Sequence, residues 1–192
     1  MKIILGSKSP GRKQILTKMG YDFTVLDPNI DEKAIRNDDP KKLVVAIARA
    51  KAQALLPKIN EAAILITSDQ VVCCNGKILE KPKDQNEARE FLHMYMQHPA
   101  ETITAVVVTN TSNKKQEFGV GIAKIWFHPI AKNMIEQIAN QEYVVNCAGG
   151  FSLDDSLLKK YIAKIQGTPD SITGLPIELT KQLILNVETL FS

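Results

Sequence analysis

Short apolar runs alternate along the chain with amphipathic stretches, and the alternation predicts strands and helices in turn. Lys2 to Leu5 is apolar enough for a buried strand, Gly6 to Lys13 is a polar loop, and Gln14 to Met19 is amphipathic. Ser9 is a natural N-cap, Pro10 suits the first helical position, and Gly20 is a good closing residue. Tyr21 to Leu26 alternates as a second strand, which Asp27-Pro28-Asn29 breaks, leaving Asp31-Glu32 in a loop. From Pro40 to Pro57, Leu43, Val44, Ile47, Ala48 and Leu55 recur at helical spacing.

Ala62 to Cys74 predicts a strand whose apolar start suits the centre of a sheet. Asn75-Gly76 is a two-residue hairpin turn, and Lys77 to Leu79 returns as the partner. Asp84 to Met96 reads as a helix with Ala88, Phe91, Leu92 and Tyr95 on one face. Glu101 to Thr109 and Gln116 to Phe127 are β-rich, with a hairpin at Thr111-Ser112-Asn113-Lys114 between them. A short helix at Ala131 to Asn140 follows, then a tight turn at Cys147 to Gly150, a late strand at Tyr161 to Ile165 and a closing helix from Leu175 to Leu190. Hairpins mixed with βα steps predict an α/β fold around a mixed sheet. The first strand is not followed by Gly-x-Gly-x-x-Gly or a Walker-type Gly-Lys-Ser/Thr, which argues against a doubly wound dinucleotide fold.

Composition narrows the class. A length of 192 residues suits one domain with a real core, and 44% hydrophobic with 23% charged residues is ordinary for a soluble globular protein. A formal net charge of +3, with scattered lysines, argues against a nucleic-acid partner. No apolar run approaches membrane-spanning length and no signal peptide is evident, so no membrane partner and a cytoplasmic location are expected. Cys73, Cys74 and Cys147 form no disulfide framework, which fits reduced thiols. The histidines His93, His98 and His128 share no metal-ligating spacing.

The candidate chemistry lies in two places. Ser7, Ser9, Arg12 and Lys13 cluster where the first loop enters its helix. Free N–H groups, the helix dipole and a guanidinium fork make this an anion site, or else it is a capped surface helix with solvated charges. Asp69 ends an apolar strand, where burial of a carboxylate calls for a role or a partner: a metal, a proton to take, or a structural hydrogen bond. Asp31-Glu32 adds hard oxygen ligands suited to Mg²⁺ or Mn²⁺, or is a solvated acidic pair. Lys51 and Lys81 are either surface lysines or charges that neutralise a polyphosphate leaving group.

Taken together, Ile4-Leu5-Gly6-Ser7-Lys8-Ser9-Pro10-Gly11-Arg12, Asp31-Glu32, Ala48-Arg49-Ala50-Lys51-Ala52, Thr67-Ser68-Asp69-Gln70-Val71, Lys81-Pro82 and Gly174-Leu175-Pro176 resemble the Maf family of nucleoside triphosphate pyrophosphatases. The matching pieces fall in family order along most of the chain. The resemblance implies a single domain over residues 1–192, a mixed twisted sheet with flanking helices, and two lobes around a cleft as in inosine triphosphate pyrophosphatases. It implies metal-dependent hydrolysis of the α–β phosphoanhydride, a divalent cofactor and a homodimer. It places the catalytic aspartate on Asp69, a metal ligand on Glu32 beside Asp69, and phosphate contacts on Ser7, Arg12, Lys51 and Lys81.

The branch bears on the substrate. The pyrimidine-preferring branch carries Asp-Thr where this chain has Asp69-Gln70. Ser68-Asp69-Gln70 and Cys147-Ala148-Gly149-Gly150-Phe151 look like the branch acting on 7-methyl-GTP. Its base-selecting positions map onto Gly11, Gln70 and Asp154. Gln70 fits, Asp154 shortens a glutamate, and Gly11 replaces a tryptophan, removing a stacking ring. A UTP- or dTTP-preferring enzyme is the alternative within the class. A nucleotide-binding regulator of cell division without turnover is the alternative outside it.

Overall fold

The computed structural model describes residues 2–188. Among these residues are seven strands, β1 (Lys2–Leu5), β2 (Phe23–Val25), β3 (Ala63–Cys74), β4 (Lys77–Leu79), β5 (Ala100–Asn110), β6 (Gln116–Phe127) and β7 (Ile162–Gln166). They are hydrogen-bonded in the order β2-β1-β3-β5-β6-β7, with β4 paired to β3. The helices are α1 (Pro10–Lys18), α2 (Pro40–Leu55), α3 (Gln85–Tyr95), α4 (Lys132–Ala139), α5 (Pro169–Thr173) and α6 (Ile177–Glu188). This is the expected mixed α/β architecture. The described residues divide into two compact units, one of residues 2–69, 104–121 and 174–188, the other of residues 70–103 and 122–173.

In the first unit β1 lies between β2 and β3, parallel to both, with Ile3 opposite Phe23 and Ile64. Such strands are covered on both faces, so their apolar runs are nearly continuous. Ile3, Leu5, Ile64, Ile66, Val106 and Val108 pack on one face with Ile15 and Leu16 of α1 and Leu183, Ile184 and Val187 of α6. Thr67 belongs to the opposite face, and its hydroxyl donates to the Ala48 carbonyl of α2 at 2.8 Å.

In the second unit β4 turns back antiparallel on the end of β3 through Asn75-Gly76, as the turn residues predict, and β7 runs antiparallel to the end of β6. Its core is built on α3, whose cap Asp84 accepts from the Asn86 and Glu87 N–H groups. Tyr95, Phe127 and Phe151 form a ring trio with centroids 5.5 to 6.0 Å apart. The Tyr95 hydroxyl donates to the Gly149 carbonyl at 2.7 Å. A Cβ on Gly149, which has φ of 69°, would stand 2.7 Å from that hydroxyl. The turn at Cys147 to Gly150 therefore needs glycine for both conformation and space.

Among the described residues, the elements that bear on the site differ from the sequence reading in three places, and short 3₁₀ turns at Leu56–Lys58, Val144–Asn146 and Leu158–Tyr161 were not expected. Glu32–Ala34 is a 3₁₀ turn rather than open loop, because Asp31 caps it. Pro169–Thr173 forms α5, too short to carry a helical period. The closing helix begins at Ile177 rather than Leu175, since Gly174 adopts φ of 108° and interrupts the backbone. Its expected continuation to Leu190 lies outside the described residues.

Candidate active site

The loop after β1 passes unusually close to β3. The Gly6 N–H donates to the Ile66 carbonyl at 2.8 Å. A Cβ on Gly6 would meet Leu55 and Thr67 at 2.6 Å, so only glycine lets the chain through. The next residue, Ser7, is thereby buried beside β3. Its Oγ accepts from the Ser9 N–H and from Arg12 Nη1, both at 3.2 Å. Ser9 caps α1 as its type predicts, accepting from the Arg12 N–H at 3.4 Å.

Capping sets the first turn of α1 and sends Arg12 inward. Only 9% of Arg12 is exposed. Nε donates to the Gly174 carbonyl at 3.0 Å, and Nη1 donates to the Ser68 carbonyl at 2.8 Å as well as to Ser7. Among the described residues Nη2 has no acceptor, and no carboxylate pairs with the guanidinium. Burial pulls its pKa down while the negative charges of Asp69 and Glu32 pull it back up. A guanidinium stays protonated regardless, so the site holds a fixed positive charge oriented by neutral oxygens.

Beside it lies an ion group around Lys51, which α2 buries to 5% exposure. Its Nζ is 2.8 Å from Asp69 Oδ1, 2.9 Å from Glu32 Oε1 and 3.3 Å from the Ser68 carbonyl. Asp69 is 7% exposed, at the position where β3 leaves the first unit. Burial raises its pKa, with Lys51 and Arg12 opposing. The Glu32 side chain is half-exposed and reaches Lys51 from its 3₁₀ turn. Asp31 does not join the group: its Oδ1 accepts from the Lys33 N–H at 3.0 Å.

Ser7, Arg12, Glu32, Lys51 and Asp69 thus come together in the first unit. Gly11 and Lys13 sit half-exposed on α1. Three predicted residues belong to the second unit. Lys81 is exposed and lowers the pKa of Cys147, which burial raises. The Gln70 amide donates to the Ser171 and Ile172 carbonyls of α5 at 3.1 and 2.9 Å. Asp154 is exposed, while its neighbour Asp155 is buried.

Ser68 and Gly174 stand in motifs that the sequence reading quoted but to which it gave no role in the site. The Ser68 hydroxyl donates to the Gly174 carbonyl at 3.0 Å, and the Ser68 carbonyl accepts from both Arg12 and Lys51. Their sequence signal was membership of the Thr67-Ser68-Asp69-Gln70-Val71 and Gly174-Leu175-Pro176 segments.

The arrangement offers a neutral-oxygen cradle for a guanidinium and two carboxylates that already converge on one cation, the Lys51 ammonium. Such a donor pair fits Mg²⁺ or Mn²⁺, which take one or two carboxylates and complete their shell with substrate phosphate and water. Among the described residues no group of three or more His, Cys, Asp and Glu side chains gathers to hold a metal. No helix among them is long and apolar enough to cross a membrane.

A family model described as Maf-like protein matches residues 2–187. The chain is 44% identical to a 7-methyl-GTP pyrophosphatase of Dictyostelium discoideum, with 96% of each chain covered. It is 32% identical to a dTTP/UTP pyrophosphatase of Vibrio vulnificus (strain YJ016), over 95% of this chain and 97% of the other. Among solved structures, the Staphylococcus aureus Ham1 protein matches with a TM-score of 0.50 at 12% identity, covering 98% of this chain and 100% of that one. That likeness shows a shared fold.

Proposed function

The chain belongs to the Maf family of nucleoside triphosphate pyrophosphatases, and from that membership we propose that it cleaves the α–β phosphoanhydride of 7-methyl-GTP, releasing 7-methyl-GMP and pyrophosphate. The observation that carries the phosphate reading is Arg12: a buried guanidinium held by three neutral oxygens, with no carboxylate partner among the described residues. A charge kept that way is ready for an anion, and its planar fork matches phosphate oxygens.

Arg12 and Ser7 hold the phosphate chain, with Ser9 and Lys13 at the same helix start. Lys51 supplies a second positive charge to the phosphates. Asp69 takes the proton of the attacking water, a role its raised pKa suits. Glu32 and Asp69 are the residues that would hold the divalent cation. When bound, that cation neutralises charge on the phosphate oxygens as they become a leaving group.

Identity to the Dictyostelium protein favours 7-methyl-GTP, and the exposed Asp154 is an acceptor suited to a cationic methylated guanine. The second reading, UTP or dTTP, rests on the Vibrio relative.

The test is pyrophosphate release from 7-methyl-GTP, GTP, UTP, CTP, dTTP and ITP with Mg²⁺ or Mn²⁺, with Asp69→Asn as the blank. Selective release from 7-methyl-GTP is the expected result, and Asp69→Asn is expected to lose about 10²- to 10⁴-fold. Preference for UTP or dTTP selects the second reading, and no release from any nucleotide points to a binding regulator. Lys81→Met in the same assay tests the phosphate contact that family resemblance gives to Lys81.

A further inference from the structure

Lys51 has three oxygen partners, and an ammonium has three hydrogens to give them. Two partners, Asp69 Oδ1 and Glu32 Oε1, belong to the carboxylates assigned above to a divalent cation. Asp69 and the Ser68 carbonyl are set on a rigid buried strand, whereas Lys51 ends a flexible four-carbon stem. Lys51 already occupies one oxygen of each carboxylate, and a divalent cation bound to those same two oxygens would face its ammonium at close range in a poorly screened site, where repulsion is strong. A divalent cation that takes those oxygens therefore competes with Lys51 for them, and a displaced Lys51 needs other oxygens.

Of its present partners only the Ser68 carbonyl would remain without nucleotide, and a buried ammonium that loses its carboxylates is strongly penalised. An arriving nucleotide supplies both halves of the exchange: phosphate oxygens for Lys51 and the cation it carries for Glu32 and Asp69. We infer that Lys51 is the resident counter-ion of the Glu32–Asp69 pair, yielding that place to a divalent cation only when nucleotide phosphates accept its ammonium. The inference rests on the polyphosphate reading of the site. It orders the events: metal enters with nucleotide, not before it, and in the metal-free, nucleotide-free site the lysine keeps its place beside both carboxylates.

The experiment is a calorimetric Mn²⁺ titration of the whole protein without nucleotide. It compares the natural sequence with Lys51→Met, Lys51→Gln, Asp69→Asn and the Lys51→Met/Asp69→Asn pair, with circular dichroism as the check on folding. The natural protein is expected to bind Mn²⁺ weakly and Asp69→Asn no differently. Either lysine variant should bind at least about tenfold tighter, and the double variant should lose the gain. Folded lysine variants with no gain overturn the inference. So does tight Mn²⁺ binding by the natural protein that Asp69→Asn abolishes, a comparison that decides the matter even where the lysine variants fail to fold. Failure of the catalytic reading shows separately, as a protein that releases pyrophosphate from no nucleotide whatever its Mn²⁺ affinity.

Discussion

Arg12 Nε lies 3.0 Å from the carbonyl oxygen of Gly174, a residue 162 positions further along the chain. With Ser7 and Ser68 completing its acceptors, the guanidinium is oriented by three separate stretches of sequence. Its direction is thus a property of the folded unit, and what remains is one amino group on a cation that no carboxylate among the described residues contacts directly.

Replacing that fork with a point charge tests its geometry. Arg12→Lys keeps the charge but loses the planar fork whose Nε and Nη1 reach the Gly174, Ser68 and Ser7 oxygens. We expect kcat/KM to fall about ten- to hundredfold, the worth of one or two charged hydrogen bonds. Binding of inorganic tripolyphosphate should fall in step, because the loss is on the phosphate side. Unchanged tripolyphosphate affinity would place Arg12 outside the phosphate site.

Asp31 and Glu32 are neighbours with different work. Asp31 caps the turn that presents Glu32 to Lys51. Asp31→Ser and Asp31→Asn keep a capping oxygen and should retain activity within about twofold, while Asp31→Ala loses the cap, worth roughly 0.5–2 kcal/mol, and should lower activity about two- to thirtyfold. Steady-state rates of the three variants decide it. If Asp31→Asn falls as far as Asp31→Ala, the carboxylate charge itself is needed.

The pH dependence follows from Asp69. Burial raises its pKa against the pull of Lys51 and Arg12. A base must be ionised to act, so the acid limb of kcat/KM is expected above the ordinary aspartate value of about 3.9. For stability the sign is opposite to that of a salt-bridged acid with a lowered pKa. A raised pKa means the folded state holds the proton more tightly, so this group favours folding below the ordinary value, and the contribution is lost as pH rises through the raised one. A rate profile whose acid limb sits at or below the ordinary value would refute the assignment.

Adjacent acids in the second unit give a fourth contrast. Asp155 is buried and accepts from Gln141 Nε2 at 2.8 Å, from the Tyr143 hydroxyl, and from the Leu157 and Leu158 N–H groups at 2.7 and 3.2 Å. Asp155→Ala strands these donors and should lower stability by about 2–4 kcal/mol in urea denaturation. Asp154→Ala, at an exposed position, should change stability by less than about 0.5 kcal/mol. It should instead reduce turnover of 7-methyl-GTP relative to UTP. Equal turnover ratios before and after would remove Asp154 from base selection.

Most of the fold was legible because its signals are local. Ser9 and Pro10 start α1, Asn75-Gly76 turns β3 into β4, and the spacing of Leu43, Val44 and Ile47 marks α2. The elements that escaped, the turn at Glu32–Ala34 and the five residues of α5, are too short for a period to register. The residue types of the site were legible too: an arginine at a capped helix start, a carboxylate ending an apolar strand, a lysine on a helix. The sequence by itself determined those types and the elements that carry them. Only the tertiary structure decided that Lys51 stands between Glu32 and Asp69, that Gly174 and Ser68 aim Arg12, that Gln70 holds α5, and that Asp155 rather than Asp154 is buried. Periodicity and capping act over a few neighbouring residues, whereas burial and ion pairing depend on which distant segments close over a charge, and no local pattern encodes that.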